Sequence, residues 1–253
     1  MSAEPSLVEK KPLRYDIDAG YTSSYHTCVL TEDVILSGRV LISGVLTIAP
    51  QATLRVTPGT VISFAPDRKG RQEGTLVIRG RIEAVGTADS LIDFKAATLE
   101  KSRESWRGII LLGSEKNNLL ENCRIEGATV GLDSIFSKIS LKNTQIHSCR
   151  TGARLQGSLF QSLGGGVSDS DQGYELRDSE SYLRDVSCKD NLTGVSLSEG
   201  SLSVKDSTFS GNTARALDAV DSSIAITGAT FAKNGTGLAF KGSEGSVESC
   251  KIV

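Results

Sequence analysis

The sequence predicts an all-β solenoid, a chain that winds through repeated coils of about 21 residues. Apolar residues recur in columns at this spacing and alternate with polar residues inside each repeat. The first column is Ile125, Ile146, Val167, Cys188, Phe209, Phe231 and Ile252. The second is Leu120, Leu141, Ser162, Leu183, Val204, Ile226 and Val247. The third, mostly glycine, is Gly131, Gly152, Gly173, Gly194, Arg215 and Gly237. Three columns in phase indicate coils stacked in register.

The pattern inside each repeat indicates strands. Segments such as Ile139-Ser-Leu141 and Leu202-Ser-Val204 alternate with period two, and no repeat has room for a helix of ten residues. Three short strands joined by turns rich in Gly, Asn, Asp and Ser use up one repeat. Since equivalent residues follow in register from coil to coil, the strands must pair in parallel, as in a parallel β-helix.

The columns also assign inward and outward positions. The residues after the glycine column are expected to stack inside, and they are Leu132, Ala153, Tyr174, Val195, Ala216 and Leu238. Asn191, Asn212 and Asn234 share one turn position, where an inward amide can hydrogen-bond the turn backbone of neighbouring coils.

The chain is predicted to form a single domain. Residues 1–33 form a polar lead and cap, and residues 34–253 form the β-helix, with charged excursions at 65–73 and 97–107. In the first half the period is looser, with Val40 to Val61 at 21 residues and Leu54 to Leu76 at 22.

Composition excludes several classes of protein. The formal net charge is -2 and no basic block occurs, which argues against a nucleic-acid partner. The sequence has no run of 18 apolar residues, so no segment is a candidate membrane span. The first 30 residues lack the apolar centre of a signal peptide. The chain is therefore either cytoplasmic or exported with its signal already removed.

Several segments resemble bacterial right-handed parallel β-helix repeat proteins of the cell envelope and secreted fraction. In that family a GT-x-x-x-x-I-x-F coil precedes a loop and W-x-G-I. Gly86-Thr87, Ile92-Asp-Phe94 and Trp106-Arg-Gly108-Ile109 match it here. The resemblance covers about residues 38–253, beginning with VLTIAPQATLRVTPGTVISFAP. It implies a right-handed parallel β-helix and a periplasmic, cell-surface or extracellular location. It implies little about activity, because this architecture carries enzymes, adhesins and inert scaffolds.

Enzymes that share the architecture carry strings that this chain lacks. By resemblance, polygalacturonase-like hydrolases have Gly-His-Gly and Arg-x-Lys, and mannuronan-epimerase-like sites have Asp-Pro-His-Glu. The chain has only His26 and His147, and none of these strings. A pectate-lyase-like site needs acidic residues around calcium and a nearby Arg or Lys as base. It is the one such arrangement for which the chain has suitable residues.

That material lies after the glycine column on the outward side. Asp133, Arg154 and Glu175 are each 21 residues apart and should stand side by side, with Arg177 in the next outward column. An Arg between two carboxylates could bind a sugar, and the three are the candidate catalytic set if the protein is an enzyme. The alternative, which we favour, is cross-strand charge pairing on a solvated face.

A second acidic group lies in the turns. It consists of Asp169, Asp171 and Asp190, close to Gly164-Gly165-Gly166. These three carboxylates are the candidate ligands for calcium, which is the one candidate cofactor. The alternative is that they belong to ordinary Asp-rich turns. The coil of the three glycines has Ser162 where its neighbours have leucine. This loss fits either a tolerated defect or a close approach to the backbone.

Cysteines and the C-terminus give the last expectations. Five cysteines are an odd number, and Cys123 and Cys250 share a column six coils apart, beyond disulfide reach. Free buried thiols suit a reducing compartment, whereas the resemblance suggests export.

The final coil stops after Ile252 without a cap, so we expect a protein partner or second copy there, or a chain cut from a longer one.

The sequence therefore predicts a non-catalytic scaffold or binding module of the bacterial envelope. It would bind carbohydrate or a protein partner, or self-associate. The alternative is a carbohydrate-active enzyme, a polysaccharide lyase or glycoside hydrolase, acting on the outward sheet face of Asp133, Arg154 and Glu175.

Overall fold

The computed structural model describes residues 20–67, 73–98, 100 and 102–253, and every regular element in them is a β-strand. The strands are β1 (Ser23–Leu30), β2 (Val34–Leu36), β3 (Arg39–Ile48), β4 (Thr53–Val56), β5 (Val61–Ala65), β6 (Thr75–Ile78), β7 (Arg81–Val85), β8 (Ile92–Ala96), β9 (Gly108–Leu112), β10 (Asn118–Glu121), β11 (Cys123–Glu126), β12 (Val130–Ile135), β13 (Lys138–His147), β14 (Thr151–Gln156), β15 (Leu159–Ser168), β16 (Gln172–Arg177), β17 (Glu180–Arg184), β18 (Ser187–Lys189), β19 (Thr193–Ser198), β20 (Ser201–Lys205), β21 (Thr208–Ser210), β22 (Arg215–Val220), β23 (Ser223–Thr227), β24 (Thr230–Ala232), β25 (Thr236–Lys241), β26 (Glu244–Glu248) and β27 (Lys251–Ile252). In these residues no helix is long and apolar enough to cross a membrane.

The strands form one solenoid of about 11 turns, and its coils pass through three sheet faces. Face I contains β5, β8, β11, β18, β21, β24 and β27, with the first halves of β1 and β3 and the second halves of β13 and β15. Face II contains β6, β9, β12, β14, β16, β19, β22 and β25, with the second halves of β1 and β3. Face III contains β2, β4, β7, β10, β17, β20, β23 and β26, with the first halves of β13 and β15. Every pairing is parallel, so the predicted parallel β-helix is confirmed.

The first two predicted columns hold residue by residue. Ile125 pairs with Ile146, and the series of pairs continues to Ile252. Leu120 likewise begins an unbroken series that ends at Val247. All members of both columns are buried except the last of each, which lie in the final coil. Burying one such side chain stabilises the fold by about 1.5–3 kcal/mol.

The glycine column is wrong at one position. Arg215 pairs with Thr193, so Ala216 takes the place after Gly194 and the inward residue is Leu217 instead of Ala216. The cause is the turn at 211–214, which is one residue longer than the turn at 190–192. A turn can take up an extra residue without disturbing the strand pairing on either side.

The solenoid also begins earlier than predicted, and its first half has a different register. β1, which falls in the predicted cap, pairs in parallel with β3, so the β-helix begins at Ser23 and not at residue 34. None of its eight residues is fully buried, and four of them are exposed. Val40 pairs with Ile62 instead of Val61, and Leu54 pairs with Ile82 instead of Leu76. Leu46 pairs with Leu76, because the first excursion lengthens that coil. Residues 1–19 of the predicted cap and 68–72 of that excursion lie outside the described residues.

The corners between faces share one backbone feature. At each corner a residue with positive φ recurs from coil to coil, and most are Gly, Asp or Asn, which tolerate this conformation. The corner from face I to face II has Gly127, Ser148, Asp169, Asp190, Gly211 and Lys233. The corner from face II to face III has Gly113, Phe136, Gly157, Asp178, Glu199, Asp221 and Gly242. The corner from face III to face I has Asn122, Asn143, Gly164, Asp185, Asp206, Gly228 and Ser249.

The predicted asparagine stack is present. The Asn212 side chain accepts a hydrogen bond from the Asn191 backbone N–H at 3.2 Å and donates to the Cys188 carbonyl at 3.1 Å. Asn212 also donates to the Asn234 side-chain oxygen at 2.9 Å. The amides therefore satisfy turn groups that a single coil cannot satisfy by itself.

Both excursions leave the solenoid at the corner from face I to face II. The second one ends at Trp106, whose ring stacks on Phe64 with centroids 3.9 Å apart. The Trp106 indole N–H donates to the Glu126 carbonyl at 2.8 Å. This buried ring fixes the end of the excursion to the body of the solenoid.

Candidate functional site

The predicted charge row on face II contains one strong ion pair. Asp133 lies beside Arg154 in register, and Arg154 lies beside Glu175. Arg154 Nε donates to Asp133 Oδ1 at 3.1 Å, and Arg154 Nη2 donates to Asp133 Oδ2 at 2.5 Å. This bidentate bond raises the pKa of Arg154. The Asp133 side chain is 7% exposed and both of its oxygens are engaged, which is the geometry of a structural cross-strand pair.

The other two predicted residues, Glu175 and Arg177, take no part in this ion pair. Within the described part of the chain, Glu175 forms no ion pair with Arg154. Arg177 is exposed and its Nε lies 4.0 Å from Glu199 Oε2. The structure thus places Asp133, Arg154 and Glu175 side by side, but only the first two form an ion pair, and a ligand-binding role for the row stays a prediction.

Two of the three predicted calcium ligands, Asp169 and Asp171, bind an arginine from the second excursion, and Asp190 takes no part in this contact. Arg103 Nη1 donates to Asp171 Oδ1 at 2.6 Å, and Arg103 Nη2 donates to Asp169 Oδ1 at 2.7 Å. Among the described residues, no group of three or more His, Cys, Asp or Glu side chains is placed to hold a metal ion. The Arg103 bridge fastens the excursion to the corner three coils further along, and calcium stays a prediction.

The glycine-rich coil is explained by its neighbours. The backbone at Gly166 has φ 146°, and a Cβ there would lie 1.9 Å from the Ser187 carbonyl oxygen. What approaches the backbone at this point is therefore the next coil. The space left by Ser162 is taken by Tyr174, a fully buried ring whose phenol pKa is raised by that burial.

Face III carries a groove of about 510 Å³ that the sequence did not predict. Its central row is formed by outward residues of successive coils, which pair in the order Ser140, Gln161, Tyr182 and Ser203. All four are partly exposed. The row repeats at the 21-residue period and could have been found from the sequence, but its members are polar and escape a search for apolar columns or charge clusters.

The walls of the groove come from the flanking outward positions. Lys138, Leu159 and Glu180 form one wall and are all exposed. The Leu159 side chain adds apolar surface beside Tyr182. The volume falls in the range of about 300–1,000 Å³ that is usual for ligand sites, and a ring surrounded by a few hydroxyl and amide groups is their usual lining.

The five cysteines are all free thiols, as predicted. Burial raises the pKa of Cys123, Cys149 and Cys188 to about 12. These thiols stay protonated near neutral pH and behave as small apolar residues.

The final coil exposes apolar side chains. Val247 is 42% exposed and Ile252 is 62% exposed, whereas their column neighbours in earlier coils are buried. The predicted partner or second copy at this coil stays a prediction.

Comparisons with known proteins give one family and one distant structure. The family described as right handed beta helix region matches residues 84–252. No curated protein matches the chain. Among solved structures, tailspike protein 2 of Escherichia coli O157:H7 bacteriophage CAB120 is similar, with a TM-score of 0.39 and 11% sequence identity. The alignment covers 88% of this chain and 38% of the tailspike chain, so this chain spans well under half of that protein.

The family match extends over more than half of the chain and includes most of the columns on which the fold prediction depends. It coincides with the coils from β7 to β27, all of which pair in parallel. The chain therefore belongs to the right-handed β-helix family.

Proposed function

We propose that this protein is a non-catalytic binding module that holds a carbohydrate chain along the groove of face III. The observation that carries the proposal is Tyr182, a partly exposed ring in the central row between Gln161 and Ser203. An aromatic ring supplies an apolar platform for the C–H face of a sugar, and the neighbouring amide and hydroxyl groups can bond its hydroxyls. Coils about 4.8 Å apart offer such groups at regular intervals along the rod.

The lining of the groove favours binding without catalysis. Most glycoside hydrolases need two carboxyl groups that face each other across the scissile bond. Among the described residues that line this groove, Glu180 is the one carboxylate. On face II, Asp133 is tied to Arg154 through both oxygens, so the alternative enzyme site offers no free acid and base pair.

The test is titration calorimetry against neutral, acidic and amino polysaccharides, with the products assayed for new reducing or unsaturated ends. We expect binding without new ends, and at least tenfold weaker binding by Tyr182→Ala because the platform is lost. Tyr182→Phe should keep most of the affinity, because it keeps the ring.

A matched pair of glutamines provides the control. Gln161→Ala, in the groove, should weaken binding, whereas Gln145→Ala, exposed on face I, should not. Full affinity in Tyr182→Ala, or equal losses in the two glutamine variants, would place the ligand elsewhere. New chain ends would instead support a lyase or hydrolase.

The bacterial envelope location implied by the family resemblance is part of the same proposal. A polysaccharide-binding module is useful where such polymers are displayed. Fractionation of the producing cells, followed by immunoblotting, should find the protein in the periplasm, at the surface or in the medium. Recovery in the cytoplasm alone would contradict this location.

A further inference from the structure

A second cavity, separate from the groove, lies between face I and the second excursion. It has a volume of about 220 Å³, and most of its lining residues carry a charged or hydroxyl side chain. We propose that it is a binding site for a small zwitterion, a free α-amino acid. This site is independent of the carbohydrate groove on face III.

The floor of the cavity is one outward row of face I. Glu126 pairs in register with His147, and Lys95 occupies the same row one coil earlier, directly after the paired residues Phe94 and Ile125. All three row members, Lys95, Glu126 and His147, line the cavity. The row thus places a cation, a carboxylate and an imidazole at the spacing of successive coils, about 4.8 Å.

The opposite wall is formed by the excursion. Thr98, Glu100, Ser102 and Ser105 contribute hydroxyl groups and a second carboxylate to the lining. Several contacts hold this wall against the solenoid, among them the following two. The Ser105 backbone N–H donates to the Gly127 carbonyl at 2.9 Å, and Arg103 bridges the carboxylates of the corner described above.

The floor residues are fixed before any ligand arrives. The backbone of Glu126 is held by the buried Trp106 indole. Ser148 Oγ donates to Asp169 Oδ2 at 2.8 Å, so the contact of 3.3 Å between Ser148 Oγ and His147 Nδ1 requires a proton on that nitrogen. His147 Nε2 is directed to Glu126 Oε2 at 3.5 Å. Side chains held in this way favour binding, because less conformational freedom is lost when the ligand binds.

The charges that remain available have both signs. Lys95 and Glu100 form no ion pair with any other described residue, whereas Glu126 lies within ion-pair distance of His147 and also within the electrostatic reach of Arg124. A carboxylate in the cavity can therefore pair with Lys95, and an ammonium group can pair with Glu126 or Glu100. A ligand with one charge would leave the opposite set without a partner, and unpaired charges are costly in a partly enclosed site.

The size of the cavity fits the same ligand class. It is smaller than the range of about 300–1,000 Å³ that holds drug-sized molecules, and a cavity of about 150 Å³ can already take a benzene-sized molecule. The hydroxyl groups of Thr98, Ser102 and Ser105 can bond polar atoms of a small side chain.

The experiment is titration calorimetry of the full chain with each of the twenty free amino acids. For the tightest binder, its N-acetyl derivative and its amide are then compared with the free form. We expect at least one free amino acid to bind with a submillimolar Kd, and both blocked forms to bind at least tenfold more weakly. Absence of binding by every free amino acid, or equal binding of either blocked form, would overturn the zwitterion site.

Variants locate the binding. Lys95→Met should remove the partner of the carboxylate and Glu126→Gln that of the ammonium group, and each should weaken binding at least tenfold. Lys189→Met, in the same row four coils beyond Lys95, and Glu115→Gln, an exposed residue outside the cavity, should leave it unchanged. Matching circular dichroism spectra would show that the variants fold. Wild-type affinity in Lys95→Met would overturn the assignment.

Discussion

Asn212 shows how a single side chain can link neighbouring coils through hydrogen bonds. Its amide is fully buried and bonds groups in the coils before and after its own. The corner needs such a residue because its turn carbonyls and N–H groups face the bore, where no water reaches them. Asn supplies a donor and an acceptor from a short side chain, which is why it recurs at 191, 212 and 234.

Asn212→Ala should lower the free energy of unfolding by about 3 kcal/mol. The change leaves the Asn191 N–H and the Cys188 carbonyl without partners, and each buried unsatisfied group costs about 1–3 kcal/mol. Urea denaturation followed by circular dichroism measures the loss. Asn117→Ala, at an exposed position, should change stability by less than about 0.5 kcal/mol. Equal effects of the two variants would contradict a structural role for the stack.

At the scale of the element, β15 shows why a run of three glycines belongs in a strand. β13 and β15 each continue through the corner from face III to face I, where other coils have two separate strands. Because β15 continues through this corner, its backbone lies against the neighbouring coils on both sides. The sequence shows the glycines and the missing leucine at Ser162, but not the ring of Tyr174 that fills the gap, because the two residues lie on different faces.

Gly166→Ala should destabilise the protein by about 3 kcal/mol or more. The added methyl group would meet the Ser187 carbonyl oxygen at 1.9 Å, and backbone cannot move aside as a flexible side chain can. Gly113→Ala is the matched control, since φ there is 61° and nothing lies within 4 Å of the new carbon. It should cost only the strain of a left-handed residue, about 1–2 kcal/mol. Thermal melts that rank the two variants equally would disprove the contact.

For the whole molecule, the features that could be predicted from the sequence are those that repeat from coil to coil. Fold and register followed from buried columns, because a parallel stack requires similar residues at equal spacing. The error at Arg215 arose where one extra residue entered a turn, which leaves the columns on both sides intact. The groove and the excursion cavity were missed because they depend on side chains from several coils and from a loop that the period does not describe.

The stability of the whole solenoid should fall in alkali. Cys123, Cys149 and Cys188 have pKa values raised to about 12 by burial, whereas in the unfolded chain they titrate near 8.5. Above that pH the unfolded state loses protons that the folded state keeps. The stabilising contribution is therefore complete below about pH 8.5 and is lost as the pH rises toward 12.

Under reducing conditions, the free energy of unfolding should drop by about 6 kcal/mol between pH 8 and pH 10, about 2 kcal/mol for each of the three thiols. Replacing all three thiols with alanine should flatten this part of the profile, and Cys188→Ala alone should remove about a third of the drop. Urea titrations at each pH give the measurement. An unchanged slope in both variants would assign the alkaline sensitivity to other groups.

In-register stacking also bears on how such a molecule can evolve. Each strand pairs with the equivalent strand of the next repeat. Tandem duplication of one repeat would therefore restore every strand pairing on both sides of the new coil and lengthen the rod by one coil. Unequal recombination could thus adjust the reach of the rod in discrete steps. Shorter insertions are confined to the turns, as the extra residue before Arg215 illustrates.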